Sequence, residues 1–519
     1  MLTNESKQTR RGFVGKLSIG VGAAPALIGL SAKTDRVYSG GFVFESQERG
    51  HRLRDGVPFT PKRRERARLV IAGGGMSGLC AAWWLQKKGF HDFVVLEMEA
   101  EPGGNSRSGQ NEVSAYPWGA HYIPVPNRES ILVREMLEEF GALHNGEWQD
   151  RFLCHTPQER LFLHGRWQEG IEPELAVTAE DHREYIRFNA RIREFRDTGA
   201  FTIPMALGER KNTPELAGLD TLTFAQWLTQ EGFRSKALWW FCDYSTRDDY
   251  GANVQETSAW AGIHYFAARS PEEKGPLTWP EGNGWLLGKL FGKVGKHVRT
   301  GQAVSRVRRE GTGWRVTTEE TEWLCEAVIF AAPAFLAPYL IERFASLSDL
   351  SYSPWMVTNL TLDRLPKGAE EPAWDNVIYG SPSLGYVVAT HQSLRTYIDR
   401  TVWTHYWALA GGDPRLRRAE LLKTNWKECS ERVLQDLQRA HPDIRACVRH
   451  IDIYRNGHAM CRPTPGFLSQ PERHRLHAGM PGLAFAHADG SGFSIFEEAQ
   501  YRGVEAARRV LSRLGGRPL

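Results

Sequence analysis

The chain of 519 residues is longer than one ordinary domain, and two or three domains are expected. Hydrophobic residues make up 41% of it and charged residues 24%, which is typical of a globular protein. The 65 basic and 61 acidic residues give a net charge of +4, which is too small to predict a nucleic-acid partner.

The first predicted element is an export signal over residues 1–32. Arg10 and Arg11 precede an uncharged segment at 17–32 that is too short and too weakly apolar for a membrane span. The stretch "TRRGFVGK" resembles the twin-arginine signal, which implies the twin-arginine export machinery as a partner and a periplasmic or otherwise exported protein. Because no clear cleavage site follows, membrane contact is expected only if the signal stays uncleaved. A disordered basic leader is the alternative.

The next segment, residues 33–66, is polar and basic, and we predict a linker there. Seven cysteines are scattered over the whole chain, odd in number and never in a C-x-x-C pair. Neither a disulfide framework nor a metal site is therefore expected.

The region 69–97 predicts a dinucleotide-binding βαβ unit. A buried strand ends at Val70-Ile71, a helix is expected over 79–88, and a second strand covers 93–96. The G-x-G-x-x-G motif between strand and helix allows a tight turn, the approach of a pyrophosphate and close helix packing. Glu97 follows the second strand, where an acid meets a ribose hydroxyl. The loop residues expected at the cofactor are Gly73, Gly75, Met76, Ser77 and Gly78.

The remaining chain alternates loops, helices and strands. Glycine and proline mark loops at 101–109 and 116–126, and helical and aromatic stretches fill 130–290. A β-meander then leads to the apolar strand 327–330. A second mixed block extends to about residue 475, and a strand, a turn and a long amphipathic helix follow it.

The order of strand, glycine motif, helix, acid and double glycine resembles the flavin-containing amine oxidase and phytoene desaturase superfamily. This resemblance implies an α/β fold, with a Rossmann-like FAD-binding domain assembled from separated segments and a mixed α+β substrate domain. It also implies FAD rather than NAD as the cofactor. The expected FAD-binding segments are 67–150, 291–340 and 476–519, and the expected substrate segments are 151–290 and 341–475.

The same resemblance assigns further residues to the cofactor. It implies a double glycine and a basic residue after the acid, a segment along the isoalloxazine, and a strand at the adenine. It also implies an aspartate at the ribityl-phosphate portion and a helix start at the flavin oxygens. In that order, the residues are Gly103, Gly104, Arg107, Trp118, Gly119, Ala120, Val304, Asp489, Ser494 and Ile495.

Two features depart from the family pattern. Many amine oxidases carry a lysine near the flavin on a strand that corresponds to "SPWMVTNLTLD" at 353–363, which holds no lysine. Glu498 stands where a glycine is usual. A carboxylate at the pyrimidine edge of the flavin would oppose negative charge on the reduced flavin, unless its side chain points away.

The substrate side is predicted within residues 245–269, where acidic and aromatic residues are dense. Asp248 and Asp249 could hold an ammonium group, and a solvated turn is the alternative. His121, beside the expected flavin, is a candidate proton acceptor, with a structural histidine as the alternative. Aromatic residues are expected to line the pocket, although the same spacing is common in cores, and these residues are Trp260, Tyr265 and Phe493.

These observations predict an FAD-dependent oxidoreductase of amine-oxidase type. It would pass a hydride from a small-molecule amine, with polyamine-like amines included, to the flavin and then to oxygen or a separate electron acceptor. A desaturase of an apolar polyene or lipid is one alternative. A flavoprotein that serves in assembly or electron transfer without oxidase activity is the other.

Overall fold

The computed structural model describes residues 37–174, 177–269, 275–369, 372–393 and 397–515. The predicted export signal and the first four residues of the predicted linker lie outside these ranges. The described secondary structure belongs to one unit, Tyr38–Leu519. Within the described residues, none of the helices has the length and apolar character needed to cross a membrane.

The strands, in chain order, are β1 Ser39–Val43, β2 Arg63–Arg66, β3 Leu69–Ala72, β4 Phe93–Leu96, β5 Ser108–Gln110, β6 Ala115–Pro117, β7 Tyr122–Ile123, β8 Leu143–His144, β9 Glu147–Trp148, β10 Glu159–Leu163, β11 Arg166–Glu169, β12 Leu277–Thr278, β13 Val298–Arg299, β14 Arg306–Glu310, β15 Gly313–Thr317, β16 Thr321–Cys325, β17 Ala327–Phe330, β18 Tyr352–Leu362, β19 Asp375–Ile378, β20 Tyr386–Val388, β21 Thr401–Ala408, β22 Val448–Cys461 and β23 Leu483–Phe485.

The helices are α1 Gln47–Arg54, α2 Met76–Lys87, α3 Ile131–Glu139, α4 Ala179–Thr198, α5 Pro214–Gly218, α6 Phe224–Gln230, α7 Lys236–Tyr250, α8 Ala259–Ala267, α9 Gly284–Val294, α10 Ala337–Leu340, α11 Pro414–Lys423, α12 Trp426–Gln438, α13 Ile444–Cys447, α14 Pro471–Ala478 and α15 Phe496–Arg513. The predicted helix at 79–88 thus begins three residues earlier, at Met76, because Gly75 is its N-cap.

A five-stranded parallel sheet forms the dinucleotide-binding part, in the order β13-β4-β3-β17-β23. Every residue of β3, β4 and β17 is buried, as expected for short β-branched runs covered on both faces. Helices α2, α9 and α15 pack on one face in a shared hydrophobic core. All five strands fall within the three segments expected to bind FAD.

A second, eight-stranded sheet has the order β1-β22-β18-β21-β20-β19-β10-β11. Its central strand β18 is buried throughout its eleven residues. Helices α4, α6, α7 and α8 form a separate aromatic-rich core. A four-stranded sheet, β14-β15-β16-β2, completes the main architecture.

The linker prediction for residues 33–66 is corrected over its described part. Strand β1 pairs in parallel with β22, and β2 pairs in parallel with β16. Every residue of β2, "RRER", is exposed, so backbone pairing along a sheet edge holds this strand in place. Sequence patterning missed these elements because they bury few side chains.

Candidate cofactor and substrate site

The glycine loop leaves open space at the beginning of α2. A Cβ atom on Gly73 or Gly78 would meet backbone atoms at 2.7 and 2.0 Å, whereas one on Gly75 would meet nothing within 4 Å. Among the described residues, no side chain caps α2, and its first turn contains no acid. An uncapped helix N-terminus beside open space fits a pyrophosphate group. Met76 and Ser77 form this first turn.

Glu97 lies against the same loop. Its carboxylate accepts hydrogen bonds from the backbone N–H groups of Gly74 and Glu99, both at 2.8 Å. Burial raises the pKa of Glu97, although these bonds and the charge of Arg107 act in the opposite direction. The acid is therefore fixed at the end of β4, next to the pyrophosphate position.

The double glycine lies beside the first loop. The N–H of Gly103 donates to the Gly74 carbonyl at 2.9 Å, and φ angles of +119° and +56° explain why glycines occupy 103 and 104. Arg107 is buried and donates to the Gly104 carbonyl at 3.1 Å. Its guanidinium lies 4.0 Å from the centre of the Phe44 ring.

The segment Trp118–Gly119–Ala120 runs beside residues 105–107. Trp118 N–H donates to the Arg107 carbonyl at 2.9 Å, and Ala120 N–H donates to the Asn105 carbonyl at 2.8 Å. A Cβ atom at Gly119 would meet that Asn105 oxygen at 2.4 Å, so this close approach requires glycine. The Tyr406 hydroxyl donates to the Gly119 carbonyl at 2.9 Å.

The C-terminal cofactor residues lie around the beginning of α15. Asp489 is 1% exposed and accepts hydrogen bonds from Ala334 N–H and the Tyr352 hydroxyl, both at 2.9 Å. Burial would raise the pKa of Asp489, but the partners, His487 foremost, lower it. Ser494 accepts from the Cys461 N–H, and Ile495 is the N-cap of α15.

Val304 is the last of the residues expected at the cofactor. It is buried in a hydrophobic core that also contains residues of β17. The segment that carries it is tied to the acid, because the N–H of Gln302 donates to the Glu97 carbonyl at 2.7 Å.

The carboxylate of Glu498 is occupied by hydrogen bonds within the protein. Its two carboxylate oxygens accept from the Met205 N–H and the Ser491 hydroxyl, both at 2.5 Å. Its neighbour Glu497 is 1% exposed, and burial raises its pKa to about 8. One Glu497 oxygen has no hydrogen-bond partner among the described residues. Burial thus favours the neutral form of Glu497.

His121 belongs to a group of aromatic rings. Its ring stacks on Tyr406 with centroids 4.5 Å apart, and Trp374 and Tyr122 lie at 5.4 and 5.0 Å. Burial lowers the pKa of His121 to about 4. A nitrogen with this pKa is a weak proton acceptor at neutral pH, so the geometry favours the structural alternative for this residue.

The two adjacent aspartates have different partners. Asp249 is 6% exposed and forms an ion pair with Arg269, whereas Asp248 accepts a 3.4 Å hydrogen bond from the Tyr122 hydroxyl. Burial and the charge of Asp249 raise the pKa of Asp248. The alternative of a solvated turn is therefore wrong, because these acids lie at the end of α7 among aromatic rings.

Two more carboxyl groups from the eight-stranded sheet join Asp248. Asp375, at the beginning of β19, accepts from the Tyr244 hydroxyl at 3.4 Å. Burial raises its pKa, and so do the charges of Glu159 on β10 and of Asp248. Burial also raises the pKa of Glu159. We call Glu159, Asp248 and Asp375 the acidic cluster.

The three residues of the predicted aromatic wall lie in two different parts of the structure. Tyr265 borders the acidic cluster. Burial is the largest cause of its raised pKa, and the charges of the cluster raise the pKa further. The Arg269 guanidinium lies over its ring. Trp260 and Phe493 are 1% and 0% exposed and pack together in the helical core. We therefore assign both to the core, which is the alternative that the helical spacing around Trp260 left open.

Sequence reasoning missed Tyr406, Trp374, Asp375 and Glu159. Glu159, Asp375 and Tyr406 lie on three strands far apart in the chain, Trp374 directly precedes one of them, and the pairing of the eight-stranded sheet brings them together. Side chains alternate along β21, so Thr404 and Tyr406 lie on one face of the sheet. This alternation is the sequence pattern from which the position of Tyr406 could have been predicted. Among the described residues, no group of acids, histidines and cysteines could hold a metal ion.

The fold and the site together define a dinucleotide-dependent oxidoreductase. A family model described as flavin containing amine oxidoreductase matches residues 76–511, and the chain belongs to this family. The predicted α/β fold, the cofactor FAD and the class of FAD-dependent oxidoreductase are thereby confirmed.

Solved structures with the same fold include amine oxidases. A putrescine oxidase double mutant aligns with a TM-score of 0.67 and 15% identity, covering 87% of this chain and 100% of that one. Cyclohexylamine oxidase from Brevibacterium oxydans IH-35A aligns with a TM-score of 0.65 and 15% identity, covering 86% and 99%. At these identities the similarity concerns the fold.

Curated relatives match over shorter stretches. An L-amino acid dehydrogenase from Synechocystis sp. is 24% identical over 314 residues, which is 58% of this chain and 61% of the relative. The L-amino acid oxidase of Cerastes cerastes is 40% identical over 80 residues, 15% of each chain. The Baeyer-Villiger monooxygenase peniC of Penicillium patulum is 33% identical over 113 residues, 22% of this chain and 17% of the relative. The chain thus spans less than two thirds of these relatives.

Proposed function

We propose that the protein oxidises a small-molecule amine, which the acidic cluster binds as a cation. The observation that carries this proposal is the cluster itself, three partly buried carboxyl groups beside the aromatic group of His121, Tyr406 and Trp374. Buried carboxylates are costly unless a cation pairs with them. Aromatic faces add attraction for an ammonium group.

The charge balance favours an amine with more than one nitrogen. Arg269 is the cation that opposes the raised pKa of Asp248, and its guanidinium is already paired with Asp249. The three carboxyl groups of the acidic cluster therefore lie in a region where the charge of Arg269 is already paired with Asp249. A diamine or polyamine would bring the missing positive charge.

Amino acids fit the site less well. They are the substrates named for two of the relatives, and their carboxylate needs a cation of its own. The Arg269 guanidinium already pairs with Asp249, so it does not serve as the partner of a substrate carboxylate. The acidic cluster would also repel a second carboxylate.

The protein's own residues bind, orient and deprotonate the substrate in this proposal. Bound FAD supplies the hydride acceptor. The raised pKa of Asp248 lets it take a proton from a substrate ammonium more readily than an ordinary aspartate would. His121 and Tyr406 form an aromatic wall that positions the carbon to be oxidised and excludes water.

Anaerobic reduction of the flavin by a panel of compounds tests this proposal. We expect absorbance of the oxidised flavin to be lost with a linear diamine faster than with a monoamine of equal length, and slowest with an L-amino acid. Reduction only by a neutral apolar polyene or lipid would establish the desaturase alternative. A flavin that no compound reduces would favour the assembly or electron-transfer alternative.

We further propose export by the twin-arginine machinery and transfer of electrons to oxygen or a separate acceptor. The first part rests on Arg10 and Arg11 before a weakly apolar segment. Replacing both arginines with lysine should leave the protein inside the cell. Unchanged export of that variant would show that the proposed route is wrong.

A further inference from the structure

Residues Phe44–Arg54 contact the cofactor-binding part at several points in succession. The Phe44 ring packs on the Arg107 guanidinium, 4.0 Å away, and meets Trp118 edge-on with centroids 5.5 Å apart. Two residues later, the Ser46 hydroxyl donates to the Glu99 carboxylate at 2.5 Å. Both contacts reach residues next to, or within, the expected FAD site.

Arg49 extends this series towards the adenosine end. Its guanidinium donates to the Met98 carbonyl at 2.6 Å and to the Gly301 carbonyl at 2.8 Å. It also pairs with Glu319 at 3.0 Å. Arg49 thereby joins the two backbone segments that carry Glu97 and Val304, the residues expected at the ribose and the adenine.

The rest of the segment is anchored on both sides. Leu53 is 4% exposed and lies in the same hydrophobic core as Val304. Before it, β1 pairs with β22, and after it, β2 pairs with β16. The segment is therefore held at both ends and touches the cofactor part in between.

We infer that residues Phe44–Arg54 form an additional part of the FAD site, a clamp that holds the adenosine half and slows the release of the cofactor. The family match begins at residue 76, so the clamp lies outside the part shared with the family model. Its contacts follow the expected cofactor path from Arg107 to Val304. The inference rests on the family's cofactor and is independent of which substrate is oxidised.

Release of FAD from the full-length holoprotein tests the clamp. Arg49→Ala removes charge-assisted bonds to two carbonyls, so we expect FAD to dissociate about 10- to 100-fold faster. The measurement is the fluorescence of free FAD after dilution. Arg64→Ala is the matched control, because Arg64 lies outside the clamp on β2, pairs with Glu322 and has a side chain that is 68% exposed. A wild-type release rate in a folded Arg49→Ala protein would overturn the inference.

Two further measurements decide the matter if Arg49→Ala fails to fold. Ser46→Ala removes one hydrogen bond, and it should also release FAD faster than the wild type. Because binding is reciprocal, FAD should slow amide hydrogen exchange at residues 47–54 of the wild-type protein. Equal exchange with and without FAD, or unchanged release from Ser46→Ala, would contradict the clamp. Neither readout requires turnover, so failure of the amine proposal would leave both results interpretable.

Discussion

His121 shows how the surroundings of a residue, which the local sequence does not reveal, set its chemistry. Its neighbours Gly119 and Ala120, expected beside the flavin, are held by hydrogen bonds to Tyr406 and Asn105. Burial among rings, which the local sequence does not reveal, lowers its pKa to about 4. In the structure, His121 stacks its ring on Tyr406.

Replacing His121 with phenylalanine tests this distinction. Phenylalanine keeps a flat ring against Tyr406, so we expect kcat/KM for an amine to stay within about tenfold of wild type, less than the usual loss of a general base. The pH profile should keep its shape above about pH 5, because His121 is neutral there in the wild type. Loss of an ionisation near neutral pH in the variant would assign His121 a proton-transfer role.

The pair Asp248-Asp249 illustrates a limit of sequence reasoning at the residue scale. Two adjacent, identical side chains cannot be ranked from the sequence, and both were expected to hold the substrate. The partner that separates them, Arg269, lies twenty residues further along and reaches Asp249 through the packing of α8 against α7.

Asp249→Asn should therefore act mainly on stability. It leaves the Arg269 charge buried without its partner, which typically costs about 3–5 kcal/mol. Asp248→Asn keeps that ion pair and should change the free energy of unfolding much less. Urea unfolding of both variants measures the difference. Equal stability losses would show that Asp249 does not have the structural role assigned to it.

At the scale of elements, the strand-turn-helix unit was predictable because its causes are local. Glycine spacing, a β-branched run and an apolar helix lie within thirty residues of each other, and β3, α2 and β4 form as expected. The separated pieces of the five-stranded sheet also follow the expected segments. The family pattern rather than periodicity made that prediction possible.

The glycine loop yields a prediction that separates binding from folding. A side chain at Gly75 enters open space, so Gly75→Val should fold normally but exclude the pyrophosphate and bind no FAD. A Cβ at Gly78 would meet the Gly73 carbonyl oxygen at 2.0 Å, so Gly78→Ala should destabilise the fold itself. Flavin absorbance and thermal unfolding distinguish the two. A yellow Gly75→Val protein with normal FAD content would contradict this reading of the loop.

Other elements escaped prediction because their causes are not local. Strand β2 has four exposed charged residues, and β1 is held mainly by backbone pairing with residues four hundred positions away. The acidic cluster has the same origin, since β10, β19 and α7 contribute one carboxyl group each. Non-local strand pairing leaves no periodic signal in the strands themselves.

At the scale of the molecule, the acidic cluster couples stability to pH. Burial and mutual repulsion raise the pKa of Asp375, so the folded protein holds a proton that the unfolded chain would lose. The stability that this proton contributes is full below the unfolded pKa and is lost as the pH rises through the folded value. Stability should therefore fall with rising pH in this range.

Asp375→Asn tests this coupling because asparagine cannot ionise and still accepts the Tyr244 hydrogen bond. Between pH 5 and pH 8, the wild type should lose more stability than the variant. Urea unfolding of the FAD-loaded proteins at both pH values measures this difference. If the two proteins lost the same amount, the raised pKa of Asp375 would be wrong.

In the proposed function the carboxyl groups of the acidic cluster bind the substrate as a cation, and the rate of anaerobic flavin reduction by a diamine measures the effect of that binding. In Asp248→Asn/Asp375→Asn, the two carboxyl groups that would ionise beside a bound cation are lost at nearly constant shape. We expect kcat/KM to fall by a factor that corresponds to about 2–4 kcal/mol of activation free energy, the usual cost of removing one side of a buried charged pair. FAD content should not change.

The matched control is Glu194→Gln, an equivalent change of acid to amide on the exposed face of α4, where the side chain is 65% exposed. This variant should reduce its flavin at the wild-type rate. Reduction of the double variant by the diamine at the wild-type rate would contradict the account. Reduction of the wild-type flavin by neutral apolar compounds and not by amines would contradict it as well.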